Sequence, residues 1–435
     1  MIERKITYQH SFIGQQFIAK LDFTSQYHSL YCARLKSLKY RCISADESGY
    51  FSLSEIMEVK VNQSCLIAGI IVCTYADRSS IVEKYISKIG ILADRKQSTF
   101  YNRRKEEDFI YLEDESGRVR LDLKQYFDWE NLITGLVVAV RGVMRENSVL
   151  EVIEIFYPSA DPPRPLLRKG DEFICFISGI EIGNPSLDPI LLNLLSNFLQ
   201  GNLGNDSAEV AKNIVRFVIL GNSLYKADKE NSFEQKAYSD ISADIVPSIS
   251  KSLEFFDTFL AELAGILPVD LIPGEMDPSN SSMPQQPLNP YLFPLASRYS
   301  ALRSFPNPYE CKIDGIHILC TSGQNINAIM QFIDTQDPIK ILELTMKWRH
   351  LAPNAPDALG CIPMQDDDPF IVEDLPNLYV VGGMPNYQKL VTEEGVHCIT
   401  IPKFTSRQQV VLVNRFTMES ETLSFVSVIQ GMNNC

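Results

Sequence analysis

The sequence predicts two folded parts of different class, a β-barrel followed by a layered α/β domain. Short strand-like runs succeed one another from about residue 60 to residue 157, and strand-like and helix-like runs alternate after residue 171. The proline-rich stretch SADPPRP (159–165) separates them and cannot continue a central strand. We therefore expect an N-terminal helical segment (1–45), a barrel (46–158), a linker (159–170) and an α/β domain (171–435).

Length and composition allow two or three domains, each with its own core. The chain has 435 residues, of which 45% are hydrophobic, and it contains no run of eighteen apolar residues that would predict a membrane span. The start, MIERKITYQH, lacks the apolar region of a signal peptide, which predicts a cytosolic or nuclear location. The ten Cys form no Cys-x-x-Cys pair, so we expect reduced, mostly buried thiols and no zinc site.

Residues 29–42 are expected to form a short amphipathic helix. Leu30, Leu35 and Leu38 stand among basic residues at helical spacing. The apolar side of this helix should pack on the domain that follows.

Residues 46–158 are expected to form a barrel of the OB type. CLIAGIIVCTY (65–75) is the first clear strand, and two hairpins follow at 109–123 and 135–158, with turns at 115–117 and 146–148. About five strands in a hundred residues fit this barrel.

After the linker, strands and helices alternate. Asp188 and Pro189 are expected to begin a helix as cap and first residue, and Gly201 to end it. A second helix is expected at 248–265 and a third at 325–334. The predicted strands lie at 173–183, 213–222, 269–272, 315–323, 377–383 and 398–404, and a closing hairpin follows from residue 409.

The stretch LIPGEMDPSN (271–280) shows how such a sheet delivers polar residues. The apolar run that ends at Ile272 meets a Pro-Gly turn and then Glu275-Met276-Asp277, at the strand end where α/β sheets place their sites. A two-metal phosphoesterase needs Asp, His and Asn at several such turns. The chain has five His, and most of them lie outside the expected turns.

The order of these turns resembles that of the calcineurin-like phosphoesterases. It resembles most closely the small (B) subunits of replicative DNA polymerases, and among these the small subunits of DNA polymerase delta. The resemblance spans nearly the whole chain. It is carried by FISGIEIGN, VILGNSL, LIPGEMDPSNSSMPQQPLNPYLFP, TSGQNI, KWRHLAPNAPDALGC and NLYVVGGMPNY.

The same resemblance implies that the metal ligands of active relatives have been replaced. Asp-x-His becomes Gly179-Ile180-Glu181, the acid of Gly-Asp becomes Asn222, and Gly-His-x-His becomes Gly382-Gly383-Met384-Pro385. In the stretch 271–280 only Asp277 persists. The degenerate site is then Gly179, Glu181, Asn222, Glu275, Met276, Asp277, Ser322, Gly383 and Pro385, with no metal, cofactor or catalytic residue.

What the resemblance implies is a non-catalytic accessory subunit, a scaffold in a nuclear hetero-oligomer that serves DNA replication and repair. Its partners would be the cysteine-rich C-terminal domain of the catalytic subunit, a third polymerase subunit and, indirectly, the sliding clamp. The net charge of −14 suits protein partners better than DNA, so any DNA contact is expected to be weak or indirect.

Two other functions stay open at this stage. One is a phosphodiesterase with altered ligands, in which Glu181, Glu275 and Asp277 would gather around a cation. The other is single-strand nucleic-acid binding by the barrel, through Tyr75, Phe109 and Tyr111, although many acidic residues accompany these aromatics.

Smaller features have two interpretations each. The basic stretches Arg34–Arg41 and Arg103–Lys105 are expected to be solvated rather than bound to nucleic acid. Trp348 and Arg349 are candidates for an interface, with core packing of Trp348 about equally favoured. We expect an exposed loop at Asp366–Asp368, and a strand rather than a clamp-binding peptide at Gln409–Phe416.

Overall fold

The structure is a computed structural model that describes residues 4, 8–18, 26–43, 54–75, 108–123, 129–165, 170–226, 245–364 and 367–425. Its contacts divide the chain into two units. The barrel unit comprises Leu21–Asp161 and Asn325–Leu375, and the sandwich unit comprises Met1–Lys20, Pro162–Gln324 and Pro376–Cys435. The chain changes unit inside the predicted linker. The predicted uninterrupted domain over 171–435 differs from this division, because residues 325–375 pack with the barrel.

Elements are numbered in chain order. The strands are β1 His10–Phe12, β2 Ser64–Thr74, β3 Phe109–Glu113, β4 Arg118–Asp122, β5 Val137–Arg145, β6 Val149–Phe156, β7 Phe173–Ile177, β8 Ile214–Leu220, β9 Val269–Ile272, β10 Leu302–Ser304, β11 Tyr309–Ile313, β12 Ile316–Thr321, β13 Leu378–Met384, β14 Gln388–Val391, β15 His397–Pro402, β16 Gln409–Asn414 and β17 Ser420–Ser424. The helices are α1 Tyr27–Ile43, α2 Pro189–Gln200, α3 Asn205–Lys212, α4 Ile245–Ala264, α5 Gln324–Met330, α6 Pro338–Lys347 and α7 Phe404–Arg407.

In the barrel unit, five strands close in the order β2-β3-β4-β6-β5. Both predicted hairpins are present, with turns at the predicted residues. Helix α1 buries Leu35 and Leu38 against Leu66 and Ala68 of β2 and Val137 of β5. The predicted amphipathic helix and its packing are therefore confirmed.

In the sandwich unit, the described strands form two six-stranded sheets, ordered β1-β11-β12-β13-β15-β14 and β10-β9-β8-β7-β16-β17. One core joins the sheets, with Phe176 and Val218 from the second sheet and Ile318 and Val380 from the first. Another core joins the second sheet to α2, α3 and α4. Strand β8 is buried along its whole length, as expected of a parallel strand covered on both faces.

Local signals set the ends of α2. The Asp188 carboxylate accepts a hydrogen bond from the Ile190 backbone N–H at 2.9 Å, Pro189 is the first helical residue, and Gly201 follows the helix at φ +78°. These are the cap, first-turn and C-terminal residues that the sequence predicts.

None of the described cysteines is in a disulfide, and all of them except Cys32 are buried, as predicted. In the same residues, no helix has the length and apolar character needed to cross a bilayer.

A buried polar cluster in the sandwich unit includes a histidine held neutral. The Tyr309 hydroxyl donates to Asp270 Oδ2 at 2.8 Å, so His10 Nε2, which lies 2.8 Å from that hydroxyl oxygen, carries the ring proton. His10 Nδ1 has no hydrogen-bond partner among the described residues. Burial, aided by the charges of Arg216 and Arg303, lowers the pKa of His10 to about 4.

The lowered pKa of His10 predicts a loss of stability in mild acid. The unfolded chain binds a proton at His10 as the pH falls below 6.5, whereas the folded chain binds it only near pH 4. The contribution of His10 to folding stability is therefore fully present above pH 6.5, and it is lost as the pH falls towards 4. We expect wild type to lose about 1 kcal/mol more than His10→Gln between about pH 7 and pH 5, after allowance for solvent screening. Calorimetric unfolding of both proteins at the two pH values checks this, and equal losses would contradict it.

Candidate functional site

The turns that follow the parallel strands β7, β8 and β9 meet at one edge of the second sheet. The Gly179 N–H donates to Gly221 O at 3.1 Å, and the Glu181 N–H donates to Asn222 O at 3.0 Å. The Gly221 N–H donates to Ile272 O at 3.0 Å, which ties in the turn after β9. The carboxyl ends of parallel strands are where α/β sheets place their ligands, so we take this junction as the candidate site.

The turns of the first sheet reach the same junction. A Cβ atom built on Gly221, which has φ +69°, would lie 2.5 Å from Ser322 Cβ in the turn after β12. A Cβ atom on Gly383, in β13, would lie 3.1 Å from Ser322 O. Glycine at 221 is thus required both by its backbone conformation and by the close approach of the two sheets.

Glu181 is buried and paired within the chain. Its Oε1 lies 3.0 Å from Lys403 Nζ, and its Oε2 accepts from Thr405 Oγ1 at 3.1 Å and from Asn184 Nδ2 at 2.8 Å. The side chain is 6% exposed. An ammonium group therefore supplies the positive charge that this carboxylate faces.

Asp277 is buried, and its carboxylate accepts hydrogen bonds from backbone N–H groups. Its Oδ1 accepts from the N–H groups of Ser223 and Leu224 at 2.8 and 3.0 Å, and its Oδ2 accepts from the Gly274 N–H at 2.8 Å. Burial raises the pKa of Asp277 to about 6, while these N–H groups oppose the rise. The carboxylate joins the turn after β8 to the turn after β9.

The two residues before Asp277 differ from it in exposure. Glu275 is exposed, and Met276 is half-buried. The Met276 N–H donates to Asn222 Oδ1 at 3.1 Å, and Asn222 holds a left-handed conformation at φ +52°. The structure thus brings Asn222, Met276 and Asp277 together and leaves the Glu275 carboxylate on the surface.

Ser322 belongs to a buried network of amide side chains. The Ser322 N–H donates to Asn307 Oδ1 at 3.1 Å, and its hydroxyl donates to Gln324 Oε1 at 2.8 Å. The Asn307 amide also donates to Gln285 Oε1 at 3.0 Å. Amides and a hydroxyl that satisfy one another form a neutral joint between turns.

The remaining candidate positions, Gly383 and Pro385, line a shallow pocket of about 440 Å³ with Met384, Lys403 and Arg407. The Pro385 carbonyl accepts from Arg407 Nε at 3.4 Å. Neither residue offers a side-chain atom that can bind a metal.

These residues do not fit a two-metal centre. Such a centre needs several Asp, His and Asn side chains with free donor atoms. Here Gly179, Gly383, Pro385 and Met276 supply none of these types, and the carboxylates of Glu181 and Asp277 already bind Lys403 and backbone N–H groups. Within the described ranges, no group of three or more His, Cys, Asp or Glu is placed to hold a metal ion.

Two predictions about other residues are corrected by burial. Trp348 and Arg349 are 2% and 1% exposed, and Arg349 Nε donates to Val372 O at 2.9 Å. Core packing is therefore the interpretation that the structure supports for Trp348, and Arg349 is buried as well. The exposed loop predicted at Asp366–Asp368 is wrong for Asp368, which is 6% exposed, whereas Asp367 is exposed and Asp366 lies outside the described residues.

The predicted basic and clamp-like segments are also placed. Arg34 is fully buried instead of solvated, and Lys36 is exposed as predicted. Arg103–Lys105 lies outside the described residues. Gln409–Asn414 is the strand β16, with Val410 to Val413 buried, so strand is the correct interpretation there.

The aromatic residues considered for single strands do not present open rings. Tyr75 is buried, with its ring 5.7 Å from that of Phe332. The Arg120 guanidinium lies 3.9 Å from the centroid of the Phe109 ring, and that of Arg118 lies 5.2 Å from the Tyr111 ring. One arginine guanidinium thus already lies over each of these two rings.

Sequence reasoning missed the residues that complete the junction, namely Lys403, Asn307 and Gln285. Lys403 follows β15 directly, so its position at a strand end was a usable signal. Asn307 and Gln285 lie in irregular segments far apart in sequence, and no local pattern marks them.

Two family profiles match the chain. The profile of the DNA polymerase delta subunit OB-fold domain matches residues 26–155, and the profile of the B subunits of DNA polymerases alpha and epsilon matches residues 174–389.

Curated relatives match along most of their length. The DNA polymerase delta small subunit of Oryza sativa subsp. japonica is 32% identical over 410 residues, which cover 92% of this chain and 93% of the relative. The protein of the same name from Arabidopsis thaliana is 32% identical over 414 residues (93% and 92%). That of Saccharomyces cerevisiae is 30% identical over 456 residues (93% and 90%).

Proposed function

The chain belongs to the family of DNA polymerase delta small subunits, which are accessory subunits of a replicative polymerase, and we propose that it acts there as a scaffold without chemistry of its own. The barrel carries the OB-fold match. We propose that the sandwich unit is a calcineurin-like phosphoesterase fold in which the metal site has become a structural junction.

The observation that carries this proposal is the use of the two buried carboxylates. In an active phosphoesterase the polar side chains at these turns would face metal ions. Here the Glu181 carboxylate faces Lys403 Nζ at 3.0 Å, and both oxygens of Asp277 accept backbone N–H groups. Because these carboxylates bind groups of the chain itself, we infer that the junction holds the fold in shape and does not hydrolyse a substrate.

The proposed partners follow from membership of the family. The chain would sit in a nuclear hetero-oligomer, in contact with the cysteine-rich C-terminal domain of the catalytic subunit and with a third subunit. Its link to the sliding clamp would be indirect. The net charge of −14 agrees with contacts to protein more than to the DNA backbone.

The two other functions have less support. A phosphodiesterase would need ligands that Gly179, Met276, Gly383 and Pro385 cannot supply. A single-strand binder would need open aromatic faces, yet Tyr75 is buried and an arginine already lies over Phe109 and over Tyr111.

The first experiment is a tagged pull-down from nuclear extract of the source organism, with the stoichiometry of each recovered protein measured. We expect a catalytic subunit of a replicative DNA polymerase at about one copy per chain, because an accessory subunit forms a stable complex. Recovery of this chain alone, as a monomer, would contradict the scaffold.

A second measurement tests the chemistry. The purified chain is assayed with Mn²⁺ and a generic phosphodiester, and we expect no turnover above a buffer control. Turnover that is lost on addition of a chelator would revive the phosphodiesterase.

A further inference from the structure

A pocket of about 540 Å³ lies within the barrel unit, between helix α1 and the outer face of β2. Among described residues it is lined by His28, Tyr31, Cys32, Leu35, Ile70, Val72, Glu113, Asp114, Glu115, Thr134 and Asp357. We call it the α1 pocket. Its volume falls in the range of about 300–1,000 Å³ in which proteins bind ligands.

One wall of the α1 pocket is a stripe of helix α1. His28, Tyr31, Cys32 and Leu35 recur at the spacing that places side chains on one helical face. Seven residues of helix rise by about 10 Å, so the wall is long enough for a short peptide segment. The opposite wall includes Ile70. Leu35 and Ile70 belong to the same buried apolar cluster, and together they form the apolar floor of the pocket.

The rim of the α1 pocket is acidic. Glu113, Asp114 and Glu115 stand together at the turn between β3 and β4, and Asp357 adds a fourth carboxylate. No Lys or Arg is among the described residues that line the pocket.

The contacts of these acids leave the rim negative. Asp114 is held in place because it accepts from the N–H groups of Ile56, Ser116 and Gly117. Glu113 pairs with Arg118 at the surface, Asp357 is hydrogen-bonded to the Tyr31 side chain, and Glu115 is exposed. An apolar floor under a rim of fixed negative charge is complementary to a cationic side chain beside an apolar one.

We propose that the α1 pocket binds a short segment of another subunit of the polymerase assembly, in which a Lys or Arg stands next to a large apolar side chain. The apolar side chain would lie on Leu35 and Ile70, and the cation would face Glu115 and Asp357. This inference rests on the proposed scaffold function and adds to it the place and the chemistry of one contact. The acidic rim excludes a phosphate-bearing ligand here, because its carboxylates would repel the phosphate.

Cys32 provides a direct measure of occupancy. It lines the pocket, lies 3.5 Å from His28 Nε2, and is the one cysteine among the described residues that is not buried. The full chain alone and the assembled complex are treated with N-ethylmaleimide, and alkylation of the Cys32 peptide is followed by mass spectrometry. We expect alkylation to be slower in the complex by about tenfold or more, as for a group exposed only on local opening. Equal rates would overturn the proposal.

Photo-crosslinking identifies the occupant. A photoreactive amino acid replaces Val72, which lines the pocket, and in a matched protein it replaces Ile153, which is 50% exposed on β6 and does not line it. From position 72 we expect a crosslink to a peptide of another subunit with Lys or Arg beside a large apolar residue. A crosslinked peptide without a basic residue, or a crosslink from position 153 alone, overturns the proposal.

A charge reversal completes the test. Glu115→Lys is compared with Glu146→Lys, since both residues are exposed in hairpin turns of the same barrel and only Glu115 lines the pocket. We expect Glu115→Lys to weaken assembly by about tenfold at low salt and less at high salt, and Glu146→Lys to change it by less than about twofold. If the catalytic subunit is recovered in the complex while these three readouts stay unchanged, the pocket is not the contact and the scaffold stands. If no polymerase subunit is recovered, the scaffold itself fails.

Discussion

Replacement of Arg34 by methionine is expected to destabilise the barrel unit by about 3–5 kcal/mol, the cost of leaving a buried charge without its partner. Arg34 Nε donates to Asp368 Oδ2 at 2.6 Å, and both side chains are 0% exposed. His350 Nε2 lies 2.9 Å from the same oxygen. The variant removes the guanidinium, so of these two partners the Asp368 carboxylate keeps only the neutral imidazole of His350.

Arg34 also donates hydrogen bonds to three backbone carbonyl groups. Nη1 donates to Pro353 O at 2.8 Å and to Gly135 O at 3.2 Å, and Nη2 donates to Ala355 O at 3.0 Å. The chain is close-packed here, since a Cβ atom on Gly135 would lie 1.8 Å from Pro353 O. Methionine fills much of the volume but donates no hydrogen bond, so the loss reflects charge and hydrogen bonding rather than a cavity.

Tryptophan fluorescence isolates this effect. The chain has two Trp, and both Trp129 and Trp348 belong to the barrel unit, so urea unfolding followed at their emission reports that unit. The control is Arg118→Met, which removes an ion pair at the surface. The side chains of Arg118 and Glu113 are 48% and 38% exposed, so we expect its loss to cost less than about 1 kcal/mol. A loss of less than about 1 kcal/mol in Arg34→Met would show that the buried cluster is not a main support of the unit.

The sequence could not reveal this cluster, although it predicted the elements around it. Asp188, Pro189 and Gly201 define helix α2 by local chemistry, and the hairpin turns at 115–117 and 146–148 are equally local. Arg34 and Asp368 are 334 positions apart, and each stands in a run of like charges typical of a solvated surface. Burial of such a charge depends on a partner that only the tertiary fold supplies, so the local pattern predicts the wrong environment.

The candidate site was likewise predictable from the sequence in part. Its turns were predictable because they follow apolar strands, and the sequence shows directly that positions 179, 276, 383 and 385 supply no Asp, His or Asn side chain. The roles of Glu181 and Asp277 were not predictable, because each depends on atoms outside its own turn. Lys403 lies 222 positions from Glu181, and the N–H groups of Ser223 and Leu224 lie more than fifty from Asp277.

Asp277→Ala is expected to destabilise the sandwich unit by about 3–5 kcal/mol. The substitution leaves the N–H groups of Ser223, Leu224 and Gly274 without their acceptor in a buried place, and each such loss costs about 1–3 kcal/mol. Asp277→Asn should cost less, because its amide keeps one oxygen to accept a hydrogen bond. Glu275→Ala is the matched control two residues away; its side chain is exposed, so we expect a change within about 0.5 kcal/mol.

Hydrogen exchange measures this loss at the atoms concerned. Peptides that cover 221–225 and 273–277 should exchange much faster in Asp277→Ala than in Glu275→Ala, because the three amide hydrogens lose their bonds to the carboxylate. Unchanged exchange in both peptides would contradict the structural role of Asp277. The same residue would be a natural choice for testing metal binding, since it is a buried carboxylate at the junction. Loss of an activity in Asp277→Ala would therefore be explained first by damage to the junction and not by loss of a metal ligand. Only a variant that loses the activity but keeps the hydrogen-exchange pattern of the wild type can distinguish these two causes.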